Sequence, residues 1–196
     1  MRTDVVWQAL QWPSIEHVRV DSSDDGWTAN GWTAAGTMVA VLDGRPACVS
    51  YRISVARDGT TRALDIRESV GGASLSVHGD GGGQWWSADG VPRPGFDGCI
   101  DVDISTTPLT NTLPVRRLAL AIGDTAEITV GYVDVPSMSV VSATQRYTRL
   151  DKSTYRYASG SFAANVSIDS DGLVTTYDGL WSRAQIGNAT QLEATS

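Results

Sequence analysis

Short runs of β-branched and aliphatic residues, alternating with polar ones, recur along most of this chain. In "TMVAVLDGRPACVSYRISVARDGTTRALDIRES" (37–69) three or four such runs are cut by Asp43-Gly44 and Asp58-Gly59. Asp-Gly between alternating hydrophobics is the strongest short-range hairpin signal. "ASLSVHGDGGGQWWSADG" (73–90) repeats the arrangement with Asp80-Gly81 and Asp89-Gly90, and "AANVSIDSDGLVTTYDGLW" (163–181) with Asp171-Gly172 and Asp178-Gly179. The segments "ISVARDG", "LSVHGDG" and "VSIDSDG" share one form: aliphatic, Ser, aliphatic, two residues, Asp-Gly. A recurring hairpin grammar accounts for this; duplication of a half-barrel is the alternative. The irregular offsets imply no solenoid.

Helical patterning is weak. Residues 4–12 have the makings of a short helix and 109–113 of a single turn, but nothing long keeps a 3.6-residue period. The expectation is an all-β protein of a dozen or so short antiparallel strands. A sheet that large must curl, close or split, and a curled sheet encloses a cavity wherever its inner side chains fail to fill it. No Pro/Ser-rich linker interrupts the chain, so residues 1–184 read as a single β domain. Residues 185–196 read as a loose polar tail.

Composition changes this picture little. Of 196 residues, 41% are hydrophobic and 19% charged, as in ordinary folded proteins. Seven Trp against two Phe suggest aromatic-lined walls as well as core, each indole wanting a partner for its N–H. The net charge of −7 argues against nucleic acid or an anionic membrane surface as main partner, because phosphate binding needs a basic footprint. No stretch approaches the 18 apolar residues of a membrane span, and the first twenty residues lack the pattern of a secretory signal. A cytoplasmic protein is expected, with Cys48 and Cys99 as buried thiols.

Chemistry is sparse. There is no nucleophile elbow, P-loop, dinucleotide fingerprint after a strand, or H-E-x-x-H. "GDGGGQW" (79–85) reads as a turn; "DSDG" (169–172) begins like a calcium loop but lacks the closing Glu. His17 and His78 are far apart in sequence and the cysteines are not metal-spaced, so no metal or cofactor is expected. In "CIDVDIS" (99–105) Asp101 and Asp103 share one strand face, with Ile100, Val102 and Ile104 on the other. Two like carboxylates can split their pKa values for acid–base work; a solvated face or an arginine partner is the plainer account. If "LPVRRLAL" (113–120) is a strand, Arg116 and Arg117 point to opposite, equally apolar faces. A buried guanidinium needs a carboxylate or an anionic ligand, and pairing with Asp101 or Asp103 competes with a role in a cavity. Near the C-terminus Gln145, Tyr147, Tyr155 and Tyr157 fall in a strand–turn–strand unit (145–162), with the turn at 151–153. Trp181 and Arg183 share a face. Phenols, an indole and a guanidinium suit a hydroxylated ligand; they also suit plain packing.

"GCIDVDISTTPLTNTLPVRRL" (98–118), "QRYTRL" (145–150) and "YRYASGSFAANVSIDSDGLVTTYDGLWSR" (155–183) resemble successive signatures of the putative glycolipid-binding family of bacterial proteins. The likeness spans about 7–184 and is strongest from Gly98 onward; "YDG" (177–179) departs from that family's tyrosine-proline. The resemblance implies a strongly curved antiparallel sheet, a half-barrel or open barrel with a few short helical turns, similar to bacterial lipoprotein and lipid carriers. It implies no catalytic residues.

The expected function is binding of an amphipathic small molecule, such as a glycolipid or other lipid, on the concave face of the sheet. Apolar tails would lie along Val, Ile, Leu and Trp. The polar head would meet Asn111, Arg116, Arg117, Gln145, Tyr147, Tyr155, Tyr157, Trp181 and Arg183. In "TTPLTNTLP" the prolines and self-bonding Thr and Asn side chains would make a rigid crossing that fixes the two arginines. One rival is a hydrolase or isomerase using Asp101 or Asp103 with Arg117 in a barrel mouth. Another is an interaction module with a filled core. The oligomeric state is not legible.

Overall fold

The two-residue alternation is realised as fourteen strands in one sheet, in a computed structural model that describes residues 1–22 and 31–184. The first half is a meander of β1 (Arg2–Ala9), β2 (Ser14–Ser22), β3 (Trp32–Leu42), β4 (Arg45–Val55), β5 (Thr61–Glu68), β6 (Ser74–Gly79) and β7 (Trp85–Ser87). A crossing segment with a 3-10 turn at Pro94–Phe96 leads to β8 (Asp101–Ile104). The second half is β9 (Thr125–Val133), β10 (Val140–Arg149), β11 (Thr154–Ser159), β12 (Phe162–Ile168), β13 (Val174–Tyr177) and β14 (Trp181–Arg183). Between β8 and β9 lie a 3-10 turn (Leu109–Asn111) and the helix α1 (Thr112–Leu118). The order across the sheet is β7 through β1, then β14 down to β8. The two meanders therefore join at a central seam, where Trp7 pairs with Arg183. Every pairing is antiparallel except β8 with β9.

The sheet is strongly curved and unclosed. Its free edges meet through a few bonds: Gly98 N donates to Gly83 O at 2.8 Å, and Thr61 N to Ile100 O at 3.3 Å. The Trp85 indole donates to Cys99 O at 2.8 Å. Two ends result. The turns after β1, β3, β5, β9, β11 and β13 form the mouth end. Those after β4, β6, β10 and β12 form the far end, where "ISVARDG", "LSVHGDG" and "VSIDSDG" all reverse. The Asp-Gly glycines adopt the expected positive φ; Asp43 joins Gly44 there, at 50° and 73°, as a two-residue primed hairpin turn requires.

Inside the curve lies a continuous core that includes Trp7, Met38, Ile53, Leu64, Ile104 and Leu173. The Trp7 N–H is satisfied by Val174 O at 2.8 Å. Two glycines make room for aromatic rings on the facing strand or loop. A Cβ on Gly36 would lie 2.2 Å from the Tyr51 ring, and one on Gly131 would lie 2.1 Å from Phe96.

Three local expectations are corrected. Residues 4–12 begin as strand, not helix: Val5, Trp7 and Ala9 are buried while Asp4 and Gln8 are exposed, the period of a half-buried strand. Residues 112–118 are helix, not strand. Pro114 is tolerated in the first turn because the N–H there needs no partner, Ala119 ends the helix at φ 44°, and Arg116 and Arg117 complement the C-terminal dipole. Third, of the two plain accounts of the acidic face of β8, a solvated face and an arginine partner, the solvated face does not hold for Asp101, which Arg117 pairs. Val102 and Ile104 are buried as expected, but Asp101 is 0% exposed on the other side. Leu109 and Leu113 plug the interior, and residues 106–115 are buried throughout.

Both cysteines are free; Cys99 is buried and Cys48 half-buried. No described helix is long and apolar enough to cross a membrane. The expected tail at 185–196 lies outside the described residues.

Candidate functional site

At the mouth end the core leaves a cavity of about 200 Å³. One wall is aromatic. Trp12, on the β1–β2 turn, meets Trp181 of β14 edge-to-face, with ring centroids 5.2 Å apart. Phe162 packs obliquely on Tyr177 at 6.3 Å and on Tyr157 at 6.1 Å. The indole N–H of Trp12 is buried and bonds to no described residue.

The other wall is polar and rests on β8. Asp103 lines the cavity with Asn111, Tyr132, Tyr157 and Tyr177. Its Oδ1 accepts from Thr110 Oγ1 at 2.7 Å, and its Oδ2 from Gln145 Nε2 at 2.6 Å. Behind them the Tyr147 hydroxyl donates to Asn111 Oδ1 at 3.0 Å and lies 3.3 Å from Gln145 Oε1. The Asn111 amide in turn donates to Pro108 O at 3.3 Å. The Thr- and Asn-rich crossing is thus locally hydrogen-bonded, and it presents Thr110 and Asn111 to the site. Burial raises the Asp103 carboxyl pKa, opposed by its two donors. Burial also raises the phenols of Tyr132, Tyr157 and Tyr177, and the nearby Asp103 raises them further. All three are neutral hydroxyl groups at physiological pH, able to donate and accept.

A second buried acid stands beside this wall. Glu16, on β2, is 0% exposed. Its carboxyl accepts from Tyr51 Oη at 2.6 Å and from Thr107 Oγ1 at 2.8 Å, and Thr107 itself lines the cavity. Burial raises its pKa to about 8, against the two hydroxyl donors.

Of the residues singled out from sequence, Asn111, Tyr157 and Trp181 line the cavity, and Gln145 and Tyr147 stand immediately behind it. The three arginines lie elsewhere. Arg117 is paired with Asp101, the competing account weighed for it. Arg116 donates to the Asp171 carbonyl. Arg183 bonds Asp169 Oδ2 at 2.7 Å and the carbonyls of Leu173 and Val174, so it clamps the β12–β13 turn. Asp169 is thereby occupied in the segment that begins like a calcium loop. Tyr155 is buried at the far end, with the Arg149 guanidinium 5.7 Å from its ring centre. Trp12, Glu16, Tyr132, Phe162 and Tyr177 were not singled out. Each looks in sequence like an ordinary strand or turn residue, and only the curl of the sheet gathers them.

A family model described as "Putative glycolipid-binding" matches residues 4–183. The chain belongs to that family. The match covers nearly the same stretch as the resemblance, including the first hundred residues, where the motifs are least distinctive. A crystal structure of a DUF1089 family protein from Pseudomonas aeruginosa is similar, with 36% sequence identity and a TM-score of 0.76. The similarity covers 86% of this chain and 92% of that one. None of the curated proteins matches this chain. In this member of the family, then, the cavity lies between β8 and the mouth-end turns of the two meanders.

Proposed function

We propose that the mouth cavity holds the hydroxylated head group of an uncharged amphipathic molecule, a glycolipid or a lipid of similar polarity. The observation that carries this reading is the opposition of its two walls. Three neutral phenols, Asn111 and Asp103 can exchange hydrogen bonds with ring hydroxyls, while Trp12 and Trp181 offer aromatic faces and edges to an apolar ring surface. The buried Trp12 N–H is a donor with no partner among the described residues, and a bound hydroxyl would satisfy it. The family description points the same way.

The cavity is too small for a whole lipid; pockets for drug-sized ligands run to roughly 300–1,000 Å³. The concave interior is filled by α1 and the core, so it has no room for tails along its length. A tail would leave through the mouth, toward an apolar cleft of about 850 Å³ bordered by Leu42, Pro46, Val70 and Pro136. Of the pairs in the enzyme reading, Asp101 with Arg117 forms, but neither residue lines the mouth cavity; Asp103, which does, is bonded to Thr110 and Gln145 instead.

The test is native mass spectrometry of detergent-free protein, followed by titration calorimetry with octyl glucoside and methyl glucoside. Binding of the alkyl glucoside, weakened by Trp181→Ala or Tyr177→Phe, is expected. A clean unliganded mass, with no heat from either glycoside or from total bacterial lipid, would overturn the reading and favour a filled-core module.

A further inference from the structure

The outer face of the sheet changes character toward the mouth. On β2, β3 and β4, Ile15, Val39 and Cys48 stand side by side in register, and Val41 pairs with Pro46 one step further out. Ile15, Val39 and Val41 are 55%, 58% and 40% exposed. Two residues toward the far end, the same face carries His17, Thr37 and Ser50; two more bring Arg19, Ala35 and Arg52. A solvated sheet face is expected to be polar along its whole length, so the apolar end is not explained by folding.

The patch continues around the opening. Leu10, Val70, Val141 and Phe162 are also exposed, and each lies on or beside a different mouth-end turn. The turns of this rim carry Asp43, Asp134 and Asp178 and no Lys or Arg, with Arg45 just inside β4. Single exposed aliphatics are ordinary. A row of them in register, extended by others around one opening, marks a contact surface.

We propose that the mouth end docks on the surface of a neutral lipid bilayer, with Ile15, Val39, Val41 and Val70 entering the headgroup–acyl boundary. Two features favour lipid over a protein partner. The exposed side chains are mostly branched aliphatics, whereas protein hot spots are rich in Trp, Tyr and Arg. They also come from separate turns around an opening, an arrangement that meets a yielding apolar layer more readily than a rigid complementary face. The acidic turns favour neutral lipid over anionic lipid, which attracts basic segments. Binding strength then comes from buried apolar area alone and is insensitive to salt.

The experiment is co-sedimentation of the full chain with phosphatidylcholine vesicles that contain no glycolipid, at low and high salt. Because no sugar is present, its result is separable from that of the head-group reading. Expected are saturable binding unchanged by salt, no gain from added phosphatidylglycerol, and about a tenfold loss of partitioning for Val39→Asp or Ile15→Asp. Ile122→Asp, at the far end, should bind as wild type, and circular dichroism melts should report all three variants folded. No vesicle binding by the wild type would overturn the proposal. So would wild-type binding by Val39→Asp and Ile15→Asp together, or a dimer in sedimentation that Val39→Asp dissolves.

Discussion

Arg117 holds Asp101 from three directions: its Nη2 lies 2.5 Å from Oδ2, and its Nε lies 3.2 Å from both carboxylate oxygens. The Asp101 side chain is fully enclosed and that of Arg117 is 19% exposed. This pair pins the end of α1 to β8. Losing one partner leaves the other charge in a place that water hardly reaches. Asp101→Ala and Arg117→Ala should each cost about 3–5 kcal/mol of stability in urea unfolding. A stable, fully folded Arg117→Ala protein would show that the pair is not structural.

Glu16 should make stability fall with rising pH. Unfolded, its carboxyl titrates near the ordinary 4.5; folded, it keeps its proton until about pH 8. Below 4.5 both states hold the proton and the full contribution is present. Between the two values the unfolded chain releases a proton that the folded chain retains. Stability is therefore lost as pH rises, by roughly 3–5 kcal/mol in all. Glu16→Gln preserves the shape and can still bond Tyr51 and Thr107. The difference between variant and wild type should grow in the variant's favour from pH 5 to pH 8.5 in denaturant titrations. A constant difference would mean that Glu16 is ionised in the folded protein.

Gly36→Ala should destabilise although Gly36 lies in a regular strand. The new methyl would meet the Tyr51 ring at 2.2 Å, and Tyr51 cannot yield without breaking its bond to Glu16. The expected cost is about 1–3 kcal/mol, read from thermal melts against Gly44→Ala, where a Cβ meets nothing within 4 Å and only the positive φ is at issue.

Tyr177→Phe should separate binding from folding. Tyr177 lines the cavity, and its hydroxyl is bonded to no described residue. Its removal should leave the melting temperature within a degree or two and weaken alkyl glucoside binding about five- to tenfold, the worth of one hydrogen bond. Unchanged affinity would place the head group elsewhere.

The all-β class and the six Asp-Gly turns singled out were legible because alternation and turn chemistry are local. The strand–turn–strand unit that carries Tyr147, Tyr155 and Tyr157 was legible for the same reason. α1 was not. Thr112–Leu118 has weak helix formers and a proline, and it becomes helical because Leu109 and Leu113 must enter a concavity made by distant strands. Reading it as a strand placed Arg116 and Arg117 on opposite faces, although the pairing with Asp101 was among the alternatives considered. Glu16 was invisible for a different reason. It sits in "SIEHVRV" at a position where alternation puts it inside, and nothing in the sequence says that Tyr51 and Thr107 will be there to receive it.

The seam between β1 and β14 has a consequence for assembly. Each half of the sheet is a meander built from neighbours in sequence, and the halves adjoin in the sheet through the three residue pairs from Trp7–Arg183 to Ala9–Trp181. Loop closure for that junction spans nearly the whole chain, while every hairpin closes over a few residues. The hairpins should therefore zip first and the seam last. A backbone break in the crossing segment between β7 and β8 would leave both meanders intact, as two fragments able to reconstitute the sheet by complementation.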